Sequence, residues 1–239
     1  MTTLYKKEIM AVSIDTVYQR VLSIANKEQR GYITPQEFNL IAQQAQMEIF
    51  EQYFYDAKSE DKNLKNSTEF SNIDEILDEK ISIFKATAPI ATNGSIGDLP
   101  SDLYRLGMVF QSGSMIEVEQ VNEEEVSYLL QSPLAKPTNS FPAFHRLSQS
   151  QIKLHPIQLN VSCNYIRTPK IPKWSYVVVN EKALYNASAP DKQDFEIHVS
   201  DSAELVYKIL SLAGIVIAKP GLGSYADAQI NAQKQQEKQ

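Results

Sequence analysis

The residue types that could carry chemistry are few in this sequence, and their spacing matches no familiar catalytic or metal-binding motif. His145, His155 and His198 are the only histidines, and no two are spaced as a His-x-x-x-His pair. We therefore expect each to be a strand or loop residue, with a metal-ligand role as the less favoured alternative. Gly221 and Gly223 follow a proline and lead into a polar tail, which does not match a phosphate-binding loop. The sequence thus predicts no catalytic, cofactor-binding or metal-binding residues.

Cysteine and carboxylate chemistry is equally unsupported. Cys163 is the only cysteine, so no intrachain disulfide can form, and we expect this thiol to be a buried strand residue. The acidic runs Asp74-Glu75 and Glu123-Glu124-Glu125 are predicted to lie in the first turns of helices, where the helix dipole favours negative charge. We therefore expect a protein that is not an enzyme. The alternative is an enzyme whose site is assembled from dispersed Asp, Glu and His residues.

Composition and charge limit the class of protein further. The chain has 239 residues, of which 43% are hydrophobic and 22% charged, as in ordinary soluble globular proteins. Its net charge of −6 disfavours a protein that reads nucleic-acid sequence, but leaves open one that surrounds DNA without binding it tightly. The longest apolar run, residues 209–218, is about half the length that spans a bilayer. The N-terminus lacks the apolar core of a signal peptide. We therefore expect no membrane partner.

The strongest local signal is a helical corner within residues 25–38. Thr34, Pro35 and Glu37 fit the N-cap, first and third positions of a helix, which form a capping box with proline at its preferred place. Gly31 suits the left-handed residue that ends the preceding helix. These signals predict two helices joined by a short turn, the second beginning at Pro35.

Helical periodicity of the apolar residues predicts four long helices. The second is apolar on more than one face, which is typical of a helix buried against neighbours on two sides. A short additional helix is predicted after the capping pair Asn122 and Glu125. The four long helices are predicted to start at a Ser13 cap, to cover residues 35–57, to run from Asn72 to Pro89, and to open at the capping pair Asp201 and Glu204.

The middle of the chain predicts an antiparallel sheet, because short alternating runs are separated by turns. Leu103–Gln111 and residues 115–121 are predicted to form a hairpin, preceded by a loop over residues 91–98. Two prolines exclude residues 168–174 from a central strand. The other predicted strands are residues 144–147, 151–154, 161–166, 175–179 and 194–199.

The order of helices, then strands, then a helix predicts an α+β fold. We expect a helical bundle with an inserted antiparallel β-domain and an extended C-terminal arm. The bundle would comprise residues 1–90 and 200–222, and the β-domain residues 91–199. Residues 223–239 are rich in glutamine and cannot bury a core alone, so they are predicted to be the arm.

Large aromatic side chains near loops and helix ends are candidates for subunit contacts. Tyr53, Phe54 and Tyr55 fall near the end of the second predicted helix, and Trp174 falls in a proline-rich loop. For any single one of them, packing within the chain's own core is the favoured interpretation.

Several stretches, taken in order over roughly residues 12–220, resemble one family of phage proteins. The family is the head-to-tail connectors or adaptors of tailed phages, also called tail tubular A-like or gatekeeper proteins, as in the portal-proximal ring proteins of crAss-like phages. The stretches are NKEQRGYITPQEFN at 26–39, AQQAQ at 42–46, FEQYFYD at 50–56, LPSDLYRL at 99–106, IKLHP at 152–156, NYIRTP at 164–169 and DFEI at 194–197.

This resemblance implies a virion structural protein, made in the host cytoplasm and located in the portal-tail region. It implies a homo-oligomeric, dodecameric ring beneath the portal that extends the DNA channel, joins capsid to tail and takes part in genome ejection. The implied partners are the portal protein, a neighbouring tail or ring protein, and double-stranded DNA that passes through the lumen without specific binding. The arm at residues 223–239 would reach the portal or a neighbouring subunit. The alternative within virions is an internal or cargo protein.

Overall fold

The computed structural model describes residues 12–27, 33–63, 70–156, 160–216, 228–229 and 231–232. It contains helices and mainly antiparallel strands, which confirms the predicted α+β class at this level. The chain divides into two compact units. One is formed by Met1–Ile83 with Pro169–Gln239, and the other by Phe84–Thr168. We call them the helical unit and the sheet unit.

These unit boundaries differ from the predicted domain boundaries after residues 90 and 199. The sheet unit begins earlier because Lys85–Pro89 is a strand that pairs with Val161–Arg167. It ends earlier because the segment after Thr168 is hydrogen-bonded within the helical unit, where the amide of Gln46 donates to the Lys170 carbonyl at 2.8 Å.

Four long helices build the helical unit. The last of them packs against the first two, and the third packs against the second. Their apolar faces bury residues such as Val17, Phe38, Phe50, Leu205 and Ile209. The elements of this unit are α1 (Ile14–Lys27), α2 (Pro35–Asn63), α3 (Phe70–Ser82), a strand pair β9 (Tyr176–Val179) and β10 (Lys182–Tyr185), a 3-10 turn (Val199–Asp201) and α5 (Ser202–Val216).

The start of α2 confirms the predicted capping box. The Thr34 amide donates to Glu37 Oε2 at 2.9 Å, and the Glu37 amide donates to Thr34 Oγ1 at 3.3 Å. The helix continues to Asn63, beyond its predicted end at residue 57, so part of the expected polar linker is helical. Gly31 lies outside the described residues.

The start of α1 also agrees with the sequence, because the Val17 amide donates to the Ser13 carbonyl at 3.1 Å. Just before it, Val12 forms an isolated antiparallel bridge with Phe195. That bridge is all the β-structure in residues 194–199, so the strand predicted there is wrong. Its alternation was nevertheless meaningful, since Phe195 and Ile197 are both buried.

The predicted end of α3 at Pro89 is wrong. The helix ends at Ser82, and Pro89 is the last residue of strand β1. A proline is tolerated there because β1 is an edge strand, where a missing amide donor breaks no ladder. The helix also begins at Phe70, so Asp74 and Glu75 lie beyond its first turn. Ile76 of α3 is 52% exposed, so it lies outside the buried face of the helix.

The sheet unit carries two sheets. One is three-stranded with the order β1-β8-β4, and the other is five-stranded with the order β2-β3-β7-β6-β5. The pair β5–β6 is parallel, and the other described pairs are antiparallel. The elements are β1 (Lys85–Pro89), β2 (Ala91–Asn93), β3 (Ile96–Asp98), β4 (Leu103–Gln111), β5 (Glu119–Gln120), α4 (Glu123–Gln131), β6 (Ala143–Arg146), β7 (Gln151–His155) and β8 (Val161–Arg167).

Four predicted strands of this unit are confirmed, namely β4, β6, β7 and β8, but two neighbouring predictions need correction. The expected loop at residues 91–98 is a hairpin, β2–β3, whose turn holds Gly94 at φ 66°. Residues 115–121 bridge to β4 at Phe110 and Glu117, then leave it as β5, which pairs with β6.

The apolar faces of both sheets share one core. It joins Phe144, Ile152 and Leu154 of the five-stranded sheet to residues of β4 and β8. Gly97 lies against this core, where an added Cβ would come within 2.7 Å of Ile90 Cγ2. The close approach of β3 therefore requires glycine at this position.

Candidate functional site

The structure brings two of the three histidines together in the sheet unit. His145 of β6 is buried, and its Nδ1 lies 3.3 Å from Nε2 of His155 on β7. His198 lies in the helical unit, where its Nδ1 caps the turn before α5 by accepting from the Ser200 amide at 3.3 Å. Among the described residues, no three His, Cys, Asp or Glu side chains are grouped as they would be around a metal ion.

Burial is the main influence on the paired histidines. It lowers the pKa of His145, with a smaller lowering by the Lys153 cation and an opposing effect of Glu123. It also lowers the pKa of His155, to which His145 and Lys153 add. Both imidazoles therefore favour the neutral form. The two residues are 10 positions apart in sequence, a spacing that matches no metal-binding or catalytic motif. They meet because β6 and β7 are adjacent strands.

A buried ionic cluster joins three elements of the helical unit. Asp201 accepts from Tyr53 Oη of α2 and, at 2.8 Å, from Lys80 Nζ of α3. Ser200 Oγ donates to the same carboxylate at 3.0 Å. The last helix begins at Ser202, directly after Asp201, as predicted. The Asp201 carboxylate also binds residues far away in sequence, which the sequence did not predict.

The chemistry of this cluster is that of a fixed connection between helices. Burial and the Asp201 carboxylate raise the pKa of Tyr53 far above its usual value, so the phenol stays a hydrogen-bond donor. The Lys80 ammonium also lies 5.7 Å from the Tyr53 ring centroid, within cation–π range. We infer that charge, donor and acceptor satisfy one another within the core.

Cys163 is a buried residue of β8, as predicted. Its side chain is fully inaccessible, and Sγ lies 3.7 Å from the Ala88 carbonyl oxygen. Burial raises the pKa of the thiol, which disfavours the thiolate that a nucleophile needs.

Trp174 is buried within its own chain, so its role is core packing. Its ring lies 4.5 Å from the ring of Tyr18 and 5.7 Å from those of Tyr176 and Tyr185. The indole Nε1 donates to Asp15 Oδ1 at 2.9 Å. Trp174 thereby attaches the base of the β9–β10 hairpin to α1.

That hairpin is the candidate interaction surface, and we call Tyr176–Tyr185 the valine hairpin. Its base is held by the aromatic stack, whereas Val177, Val178 and Val179 are 46%, 66% and 47% exposed. Asn180 and Glu181 both have positive φ, as in the type I′ turn that closes two-residue hairpins. Exposed β-branched residues on a strand edge can pair with another chain. The sequence predicts β9, in residues 175–179, but not β10.

The other candidate residues divide between core and surface. Tyr53 is buried in the ionic cluster, and Phe54 lies 5.0 Å from Phe50, edge to face. Tyr55 is 69% exposed and stays a candidate contact residue. Glu123-Glu124-Glu125 occupies the first turn of α4, as predicted.

No protein-family model matches the chain, and a comparison with curated proteins finds no match. In the part of the chain that the structure describes, no helix is both long enough and apolar enough to cross a bilayer.

Proposed function

We propose that this chain is a phage virion structural protein, a non-enzymatic subunit of the head-to-tail connector ring. Copies assemble beneath the portal as a homo-oligomeric ring, extend the DNA channel and join the capsid to the tail. The partners are the portal protein and the next ring or tail protein. Double-stranded DNA passes through the lumen without specific binding, since a surface with net negative charge keeps phosphates mobile.

The observation that carries this proposal is the pairing of two stretches on which the family resemblance rests. The stretch at 99–106 enters β4, and the stretch at 164–169 covers the end of β8, the strand paired with β4. The Tyr165 hydroxyl donates to Asp102 Oδ1 at 3.0 Å, and the Thr168 amide donates to the Asp102 carbonyl at 2.7 Å. The stretches that carry the resemblance therefore contain residues whose contacts stabilise the fold. This supports the proposal of a structural protein.

The proposal also assigns a role to each part of the fold. Helices α1, α2, α3 and α5 act as the bundle, and the sheet unit acts as an insertion between α3 and α5. Residues 223–239 act as the arm that reaches the portal or a neighbouring subunit. Such an arm must gain enough contact on binding to offset the entropy of ordering it.

A ring of identical copies needs heterologous contacts, in which two different surfaces of one chain meet. We assign the valine hairpin to one side of that contact. Burial of its exposed valines in the contact lowers the free energy of the assembly, and the aromatic stack at its base fixes the position of the hairpin.

The decisive measurement is the copy number of the chain per virion, determined by quantitative mass spectrometry against the portal protein, with imaging of the portal axis. A connector gives a small fixed ratio to the portal and a ring on that axis. A variable ratio, or a location among the ejected internal proteins, would identify cargo instead and refute the proposal.

The arm is tested by binding to purified portal rings. The recombinant chain should be largely monomeric alone and should bind the rings, whereas a chain lacking residues 223–239 should not. The matched control keeps the full length with the order of residues 223–239 scrambled. If the truncated chain bound as well as the full chain, the assigned role of the arm would be wrong.

A further inference from the structure

The two paired histidines meet through their ring edges, and their rings are nearly parallel. Their rings are 14° from parallel, and their centroids are 5.3 Å apart. The nitrogens that face each other are only 3.3 Å apart. The distance between the ring centroids exceeds the distance between the two nitrogens by about twice the radius of an imidazole ring. Both nitrogens therefore lie near the line that joins the ring centres. This arrangement is an N–H···N hydrogen bond between imidazoles.

One proton is shared by this bond. A neutral imidazole has one donor and one acceptor nitrogen, so a neutral pair or a singly charged pair can make the bond. When both rings are protonated, all four nitrogens are donors, and two N–H groups face each other. Double protonation therefore replaces an attraction between His145 and His155 with a repulsion between two adjacent cations, of which His145 is buried and His155 partly buried.

The surroundings discourage that second charge. The register of the five-stranded sheet places the pair on one face, with Lys153 directly opposite His145. Burial and the Lys153 cation lower the pKa of both histidines. The charged groups of neighbouring elements that share this face or act on the pair are Lys153 of β7, Glu123 of α4, Glu119 of β5 and Asp98 of β3.

Helix α4 is attached to the sheet beside this pair by a small contact. The buried cluster there consists of Val121, Val126 and Ala143, with Leu129 packed against it. Ala143 is the register partner of His155, so the attachment and the histidines are direct neighbours. A separation of the two rings therefore acts on the residues that hold α4.

We propose that His145 and His155 form an acid-sensitive latch, in which double protonation breaks their hydrogen bond and releases α4 from β6 while the sheet stays folded. The released state exposes Val121, Val126 and Ala143. The latch is independent of the ring assignment, since it requires only the sheet unit and α4.

The direction of the pH dependence follows from proton binding. In the open state both histidines recover an ordinary pKa of about 6.5, above that of the closed pair. Between that value and the lower one, the open state binds more protons, so the closed state loses stability as the pH falls. For each extra proton that the open state binds, the equilibrium constant for opening rises by about tenfold when the pH falls by one unit.

Hydrogen–deuterium exchange of the full chain at pH 7.5, 6.5, 5.5 and 4.5 tests this, after correction for the intrinsic rate. We expect peptides from residues 121–131 to lose protection below about pH 6.5, while those from β7 and β8 keep theirs. Unchanged protection of α4 would overturn the latch. Loss of protection in α4 and the sheet together would also overturn it, because that is global acid unfolding.

The variant His155→Gln removes one titrating ring, so α4 should lose its acid response. His198→Gln, in the helical unit, is the matched control and should keep it; an equal effect of both would overturn the latch. If His155→Gln does not fold, ring 15N NMR of the natural chain decides. Two coupled titration steps for His145 and His155 support the latch, and two independent single-step titrations of these rings refute it.

Discussion

Replacing Lys80 with methionine is expected to destabilise the helical unit by about 2–4 kcal/mol. Asp201 is almost completely buried, Lys80 is 11% exposed, and their charged atoms are 2.8 Å apart. Removing one partner of a buried pair costs about 3–5 kcal/mol because the other charge stays desolvated. We lower that range because Tyr53 and Ser200 still donate to Asp201 after the substitution.

Urea unfolding followed by tryptophan fluorescence measures this change. Trp174 is the only tryptophan and is buried in the helical unit, so its emission reports on that unit. The matched control is Lys208→Met, which removes the partner of Glu48 in a pair whose side chains are 18% and 37% exposed. Because solvent screens such a pair, its loss should cost less than about 1 kcal/mol.

A second substitution tests whether the unpaired charge of Asp201 causes the loss of stability. Adding Asp201→Asn to Lys80→Met removes the stranded charge and keeps an oxygen that can accept from Tyr53. The double variant should therefore be more stable than Lys80→Met alone. The reasoning is refuted if Lys80→Met costs no more than Lys208→Met, or if the second substitution lowers stability further.

Four further predictions concern other parts of the molecule. Gly97→Ala should destabilise the sheet unit by about 1–3 kcal/mol in thermal unfolding, because the added Cβ would meet the Ile90 side chain. Thr34→Ala should cost the helical unit about 1 kcal/mol in urea unfolding, because α2 loses its N-cap acceptor. Val178→Lys should reduce assembly on portal rings, seen by sedimentation, without lowering the melting temperature, whereas the similarly exposed control Leu40→Lys should assemble normally. Cys163 should react with a thiol reagent only after unfolding, since burial raises the pKa of the native thiol.

The parts of the fold that sequence could predict are those set by neighbouring residues. The Thr34 capping box and the start of α4 after Asn122 depend on side chains three residues apart, so the local pattern contains all the information needed. The strands β7 and β8 follow from their own alternation between the core and the other face. In each case the chain buries the residues that the pattern makes apolar.

The errors arose where a distant partner decides the local structure. Pro89 indicates a helix end by itself, but its place on an edge strand depends on β8, more than seventy residues later. The position of Asp201 before α5 was predicted, but the contacts of its carboxylate with Tyr53 and Lys80 depend on residues far away in sequence. Residues 194–199 alternate like a strand, yet only Phe195 finds a bridge partner.

The candidate sites were hidden for a related reason. His145 and His155 are unremarkable as a sequence pair, and their hydrogen bond depends on the register between β6 and β7. Only the first strand of the valine hairpin was predicted, because the Asn180–Glu181 turn has positive φ at a glutamate, which turn statistics do not favour. The resemblance to connector proteins stays a prediction that the virion measurements will test.

The division of the helical unit into two chain segments has a consequence for synthesis. The sheet unit is continuous, so it can be complete when the ribosome has made residues up to Thr168, before its host unit has received α5. Tyr53 must wait for Asp201, 148 residues later, which at typical translation rates is roughly 7 to 30 s. During that interval the apolar faces of α1 and α2 lack the helix that covers them. The order of folding is therefore expected to reverse the order of synthesis, with the inserted unit native first and the N-terminal helices completed last.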